Sequence, residues 1–285
     1  MKFHRICLVT PFALLWAANS LLAQLDLRLE TPKSAYLQYA SIPITVRLKN
    51  LGSKTIELGN EGNRPWLEMI IQSTDGLLLK PDREFSLAPL TLQPGETGSV
   101  PLDIAPLYLI RDIGGYRVRA SVLVPSGETL LTDSLSFFVG RGETILTLPR
   151  GEGQDLRIFS LVKFYEDPNV GLYLRVEVPE KNLVFNSRRL GTFLPLGQPR
   201  AEFDSKNHLH LLYPIVPGQY RQLVVDLEGN ILREELWRES LEKIQLRKLP
   251  DGSVDVSGGV VILPSHLRER LSSLQQRAGT VSLKF

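Results

Sequence analysis

Two histidines one residue apart, His208 and His210, are the sharpest candidates for chemistry in this 285-residue chain. In an extended strand, residues i and i+2 project from the same face, so both imidazoles would be placed to grip one metal ion or flank one ligand. A third ligand would have to come from Asp204 or Asp226 once the chain folds. The competing expectation is structural: a polar or half-buried strand face, with Leu209 and Leu211 turned into a core. Tyr213 and Tyr220 stand nearby in sequence, and Trp237 follows after the next hairpin. Aromatic rings with a polar tip suit sugar or peptide recognition, and they equally fill cores. His208, His210, Tyr213, Tyr220 and Trp237 therefore form the candidate ligand-binding set. No residue is assigned as catalytic or as a metal ligand, and no cofactor is implied.

The catalytic patterns searched for are missing. Beyond His4 and His266 there is no further histidine, and none falls in a His-Glu-x-x-His helix pattern. No serine sits in Gly-x-Ser-x-Gly, and no phosphate-cradling glycine loop follows a strand. Gly151-Glu152-Gly153-Gln154 breaks the dinucleotide fingerprint and precedes a strand instead of opening a helix. Carboxylate pairs such as Glu234-Glu235, or Asp251 and Asp255, are no nearer to glycoside hydrolysis until a fold sets their separation. Asp251-Gly252-Ser253-Val254-Asp255 lacks the spaced acids and terminal Glu of a calcium loop.

The elements that must position these residues are strands. Leu25-Asp26-Leu27-Arg28-Leu29-Glu30 alternates apolar and charged residues, and Ile44, Val46 and Leu48 oppose Thr45, Arg47 and Lys49. Both patterns predict half-buried strands. Trp66 to Gln72 and Leu77 to Lys80 flank an Asp75-Gly76 turn, which predicts a tight hairpin. Further strands are expected over 99–104, 115–124 and 129–139. The order of these strands, the Pro94-Gly95-Glu96 turn, Tyr108 and the Gly115-Tyr116-x-Val118-x-Ala120 run resemble the immunoglobulin-like sandwich domains of exported bacterial proteins. The resemblance spans about residues 25–140 and implies an antiparallel sandwich, with Tyr116 at a strand corner bonding nearby backbone; Trp66, at a strand start after Arg64-Pro65, is expected in the core, with a surface ligand platform as the alternative. On activity it is silent, since such domains serve as spacers, adhesion modules and accessory domains alike.

Gly140-Arg141-Gly142-Glu143 is too short for a flexible linker and marks the expected boundary, leaving a crevice between two domains as the expected ligand seat. From Asp155 the period stays near two, with strands expected over 155–165, 171–178, 183–190, 208–213, 220–226 and 231–237. The Asp204-x-x-Asn207 turn, His208-x-His210-Leu211-Leu212-Tyr213 and Asp226-x-x-Gly229-Asn230-Ile231 resemble β-propeller blades. Residues 144–285 are too few for a closed ring of four blades, so the meander is expected without the ring.

At the termini, Met1 to Arg5 is basic, Ile6 to Ala18 largely apolar, and Ala23 ends a small-residue site, the pattern of a secretory signal peptide over 1–23. The apolar run, interrupted by Pro11, is short for a membrane span, so no span is expected after cleavage. Cys7 lies inside it and is the chain's one cysteine, which excludes disulfides and thiolate chemistry from the remainder. The chain has 33 basic and 31 acidic residues; without Lys2 and Arg5 the two counts are equal. Such a neutral balance offers no field for nucleic acid or anionic lipid. A capped amphipathic helix is expected over 265–277, with Leu267, Leu271 and Leu274 on one face.

The reading is a mostly β protein: residues 1–23 a signal peptide, 24–140 a sandwich, and 144–285 a second antiparallel domain with a C-terminal helix. It is expected in the periplasm, at the cell surface or outside the cell, as a non-catalytic binding or scaffolding module for a protein or glycan. A glycan hydrolase whose carboxylates converge only on folding, and an inhibitor or chaperone of an exported enzyme, are the alternatives.

Overall fold

The computed structural model describes residues 25–62, 64–82 and 87–263. The expected signal peptide and the helix over 265–277 lie outside the described residues. In chain order the strands are β1 (Leu25–Glu30), β2 (Ala35–Leu37), β3 (Pro43–Asn50), β4 (Ile56–Leu58), β5 (Leu67–Ser73), β6 (Leu78–Leu79), β7 (Leu90–Leu92), β8 (Thr97–Asp103), β9 (Gly114–Leu123), β10 (Thr129–Leu131) and β11 (Leu135–Gly140). They continue as β12 (Glu143–Arg150), β13 (Arg157–Tyr165), β14 (Val170–Val178), β15 (Leu183–Thr192), β16 (Arg200–Phe203), β17 (Leu209–Val216), β18 (Gln219–Val225), β19 (Ile231–Glu239), β20 (Gln245–Lys248), β21 (Val254–Ser257) and β22 (Gly259–Val261). Among the described residues the one α-helix is α1 (Ile104–Tyr108), capped by Asp103, whose Oδ1 accepts the Ala105 N–H at 3.2 Å.

The chain divides into two compact units, Met1–Ser34 with Ile42–Val139, and Ala35–Ser41 with Gly140–Phe285. The first is an antiparallel sandwich. One sheet runs β1-β3-β8; in another β11, β9, β5 and β6 are successive neighbours with β10 on β9. Alternation does the sorting: Ile44, Val46 and Leu48 of β3, Met69 and Ile71 of β5, and Val118, Ala120 and Val122 of β9 are buried, while the residues between them are exposed or half-buried. Each fully buried aliphatic side chain contributes about 1.5–3 kcal/mol. Tyr116 stacks on Phe137 at 5.4 Å, and its hydroxyl donates to the Asp112 carbonyl at 2.8 Å, the corner bond expected of it. Trp66 is buried, and its indole N–H donates to the Ala88 carbonyl at 3.2 Å. At the Asp75-Gly76 turn Gly76 takes φ +94°, which glycine adopts without cost.

One expectation is corrected by local chemistry. The single strand over 129–139 is two, β10 and β11, because the Thr132 hydroxyl accepts the Ala120 N–H at 2.9 Å in place of a ladder carbonyl. The stretch after the Gly-x-Gly junction is β12, an edge strand with a register shift between Thr144 and Leu146.

In the second unit every pairing among β12–β22 is antiparallel. β12-β13-β14-β15 form one meander, and β16-β17-β18-β19-β22 form another. The inner faces pack together through Phe159, Leu161, Leu174, Val176, Leu209, Leu211, Tyr213, Leu223 and Val225. Two outer faces are also covered. Leu37 and Ala40 of the 35–41 segment lie on Val162 and Tyr173, and the β20–β21 hairpin lies on Leu212 through Ile244 and Val256. The result is a propeller-like stack of meanders, with no closed ring among the described residues.

Candidate functional site

The turn between β16 and β17 is built around Asp204. Its Oδ1 accepts the backbone N–H groups of Lys206 and His208, both at 2.8 Å, and Asn207 adopts a left-handed φ of 65°. The turn at Asp226, 22 positions on, repeats this. Asp226 Oδ1 accepts the N–H of Glu228 at 2.9 Å and of Asn230 at 2.8 Å, and Gly229 takes the left-handed position. Both are aspartate-capped turns that the sequence dictates through a short acceptor side chain followed by a residue tolerant of positive φ.

The two turns part at the second carboxylate oxygen. Asp226 Oδ2 accepts the Asn230 side-chain amide at 3.0 Å, whereas Asp204 Oδ2 faces two imidazoles, His208 Nδ1 at 3.2 Å and His210 Nε2 at 3.1 Å. Burial pushes the Asp204 carboxyl upward; hydrogen bonds from the His208 backbone, the His210 ring and the Lys206 backbone outweigh that and hold it below the ordinary aspartate value. An ionised carboxylate only accepts, so both facing ring nitrogens carry protons. His210 Nδ1 is buried and without a hydrogen-bond partner among the described residues. Among the described residues no cluster of three or more His, Cys, Asp or Glu is disposed to hold a metal ion.

This turn forms one wall of an open depression of about 370 Å3, lined also by Val224, Leu232, Arg233, Ser253 and Val254. Register explains the grouping: His210 pairs with Val224, and Val224 with Arg233, so all three share the outer face of the second meander. The hairpin supplies the opposite wall. Its turn seats on the Asp204 turn through the Ser205 N–H, which donates to the Gly252 carbonyl at 2.9 Å. Lys248 fastens it further, reaching Glu202 Oε1 at 3.1 Å and the Phe203 carbonyl at 2.9 Å. The depression thus has an apolar floor, a rim of Lys206, Arg233 and Ser253, and a single carboxylate.

The other candidate residues divide by strand parity. Tyr213 is fully buried on the opposite face of β17, where its hydroxyl donates to the Leu190 carbonyl at 2.7 Å and burial pushes its pKa up to about 12. Tyr220 and Trp237 share the outer face with His210, but they lie toward its other end, packed under the hairpin with Leu212, Ile244 and Val256. The Trp237 indole N–H donates to Gln222 Oε1 at 3.0 Å. The structure therefore gathers His208 and His210 with Asp204 and separates them from the aromatics. Arg233, Ser205 and Ser253 were not singled out from sequence; the hairpin that brings Ser253 close is a long-range contact with no local signature.

A second polar cluster also escaped the sequence reading. The Glu166 side chain is almost fully buried, clasped by Arg189 Nε and Nη2 at 2.7–3.0 Å and hydrogen-bonded by the Tyr173 hydroxyl. Burial, then the Glu166 hydrogen bond, drives the Tyr173 hydroxyl far upward. Gly171 makes room for it, since a Cβ there would meet the Glu166 carboxyl at 2.7 Å.

No protein-family model matches the chain, and no curated protein matches it. Among solved structures it is similar to the CARDB domain of a Pyrococcus furiosus protein in complex with di-metal ions, at 16% identity over 41% of this chain and 87% of that one, with a TM-score of 0.27. It is also similar to the Salmonella enterica SafA pilin in complex with the SafB chaperone, at 10% identity over 75% of this chain and 96% of that one, with a TM-score of 0.24. At such scores these likenesses carry no argument about fold or activity.

Proposed function

We propose that the chain is an exported, non-catalytic binding module whose second unit holds a glycan segment in the depression beside Asp204. One observation carries the reading. The only carboxylate lining the depression among the described residues is consumed by two backbone N–H groups and two imidazoles. A glycosidase needs a pair of carboxyl groups about 5–10 Å apart, one of them protonated to act as acid. Asp204 has no carboxyl companion in the lining, and its hydrogen bonds favour the ionised form. Apolar Val224, Leu232 and Val254 offer a surface for the C–H face of a sugar ring, while Lys206, Arg233 and Ser253 offer polar contacts for its hydroxyls.

Titration calorimetry of the purified chain against a panel of oligosaccharides, with mass spectrometry for products, tests this. The expectation is saturable binding to at least one glycan, weakened about tenfold by Arg233→Ala, with no product formed. Binding of peptides alone would favour the protein-scaffold alternative. Hydrolysis abolished by Asp204→Asn would overturn the proposal.

A further inference from the structure

The sandwich carries a second surface with an unmet chemical demand. Arg117 and Arg119 lie two residues apart on the outward face of β9, both exposed. Cross-strand register sets Gln72 and Ser136 on either side of Arg117 and Ile70 beside Arg119. These five residues, with Leu131 and Ser134, line a depression of about 450 Å3. Neither guanidinium forms an ion pair or a hydrogen bond among the described residues. The carboxylates nearest by register and by sequence, Glu68 opposite Ser121 and Asp133 beside Ser134, pair with neither. On β1 and β3 of the same sandwich two arginines are neutralised by neighbours: Arg47 pairs with Glu30 at 2.7 Å, and Arg28 with Asp26 at 3.1 Å.

We infer that this face of the sandwich docks an extended acidic peptide with carboxylates at alternate positions. Alternate residues of one strand are about 6.8 Å apart along it, and same-face side chains of an extended peptide repeat at that spacing. Each guanidinium fork can take a carboxylate through two parallel hydrogen bonds. Gln72, Ser134 and Ser136 supply neutral polar partners, while Ile70 and Leu131, 38% and 52% exposed, offer apolar contact to the side chains between. Glu68 closes one end against negative charge and so gives the groove a polarity. The surface lies in the first unit and is independent of the glycan depression.

Fluorescence anisotropy of the full chain with labelled synthetic peptides tests the inference. The set comprises a Glu-Thr alternating hexapeptide, a peptide of the same composition with its glutamates in one block, and a Gln-Thr control. The alternating peptide is expected to bind several-fold tighter than the block peptide, the control not at all. Affinity should fall about tenfold in the Arg117→Gln, Arg119→Gln double variant, with an unchanged melting temperature because both side chains are exposed. Equal binding of the alternating and block peptides, an undiminished affinity of the double variant, or tighter binding of a sulfated oligosaccharide of equal charge would overturn it.

Discussion

At the scale of single residues, Asp204 is the group on which the site turns. Replacing it with Asn keeps an acceptor for the two backbone N–H groups but turns an amide N–H2 toward imidazoles already presenting protons. The expected cost is about 1–3 kcal/mol, read from the urea midpoint. The sign of the pH dependence follows from its depressed carboxyl. The stability it contributes is complete above the unfolded aspartate value of about 4, and is lost as pH falls through the lower folded value. The gap between the wild type and Asp204→Asn should therefore be full at pH 7 and narrow below about pH 4. Arg189→Ala strips the clasp from Glu166, whose side chain is 3% exposed. Because Arg189 itself is 39% exposed, the expected loss is about 2 kcal/mol, below that for a wholly buried pair. Urea melts of Arg189→Ala and Arg189→Lys distinguish a lost charge from a lost fork.

At the scale of elements, the hairpin β20–β21 makes the depression by sitting on the turn below it. Gly252 has φ +80°, and a Cβ there would lie 2.8 Å from the Ser205 Cβ. Gly252→Val should strain the turn and lift the hairpin, costing about 1–3 kcal/mol and shifting Trp237 emission to longer wavelength as its cover loosens. Much of this level was legible in the sequence. Period-two alternation located β1, β3, β5, β9, β13, β14, β17 and β18 to within a few residues, and it set His208 and His210 on one face. The same parity assigns Tyr213 to the core face with Leu209 and Leu211, so its separation from the histidines was readable in the sequence. Other features had no local signal. β12 is an edge strand behind two glycines, α1 is a single short helix after a strand, and Glu166 meets Arg189 across 23 positions of chain. Such pairings are set by sheet register, which local pattern does not encode.

At the scale of the molecule, stability rests on apolar faces without any cysteine after Cys7. In the second unit the inner faces of two meanders share one core, and Leu211, fully buried there, should cost about 2–5 kcal/mol when truncated to Ala. Its neighbours His210 and Leu212 face the other way, so Leu211→Ala tests the fold without touching the depression. The central claim is that a ligand sits between the Asp204 turn and the β20–β21 hairpin and is bound without being converted. Amide hydrogen exchange with and without the best-binding oligosaccharide tests this most directly. The account predicts slowed exchange confined to residues 205–208, 232–233 and 253–254, with the oligosaccharide recovered intact. Protection centred elsewhere, or recovery of cleaved sugar, would contradict it.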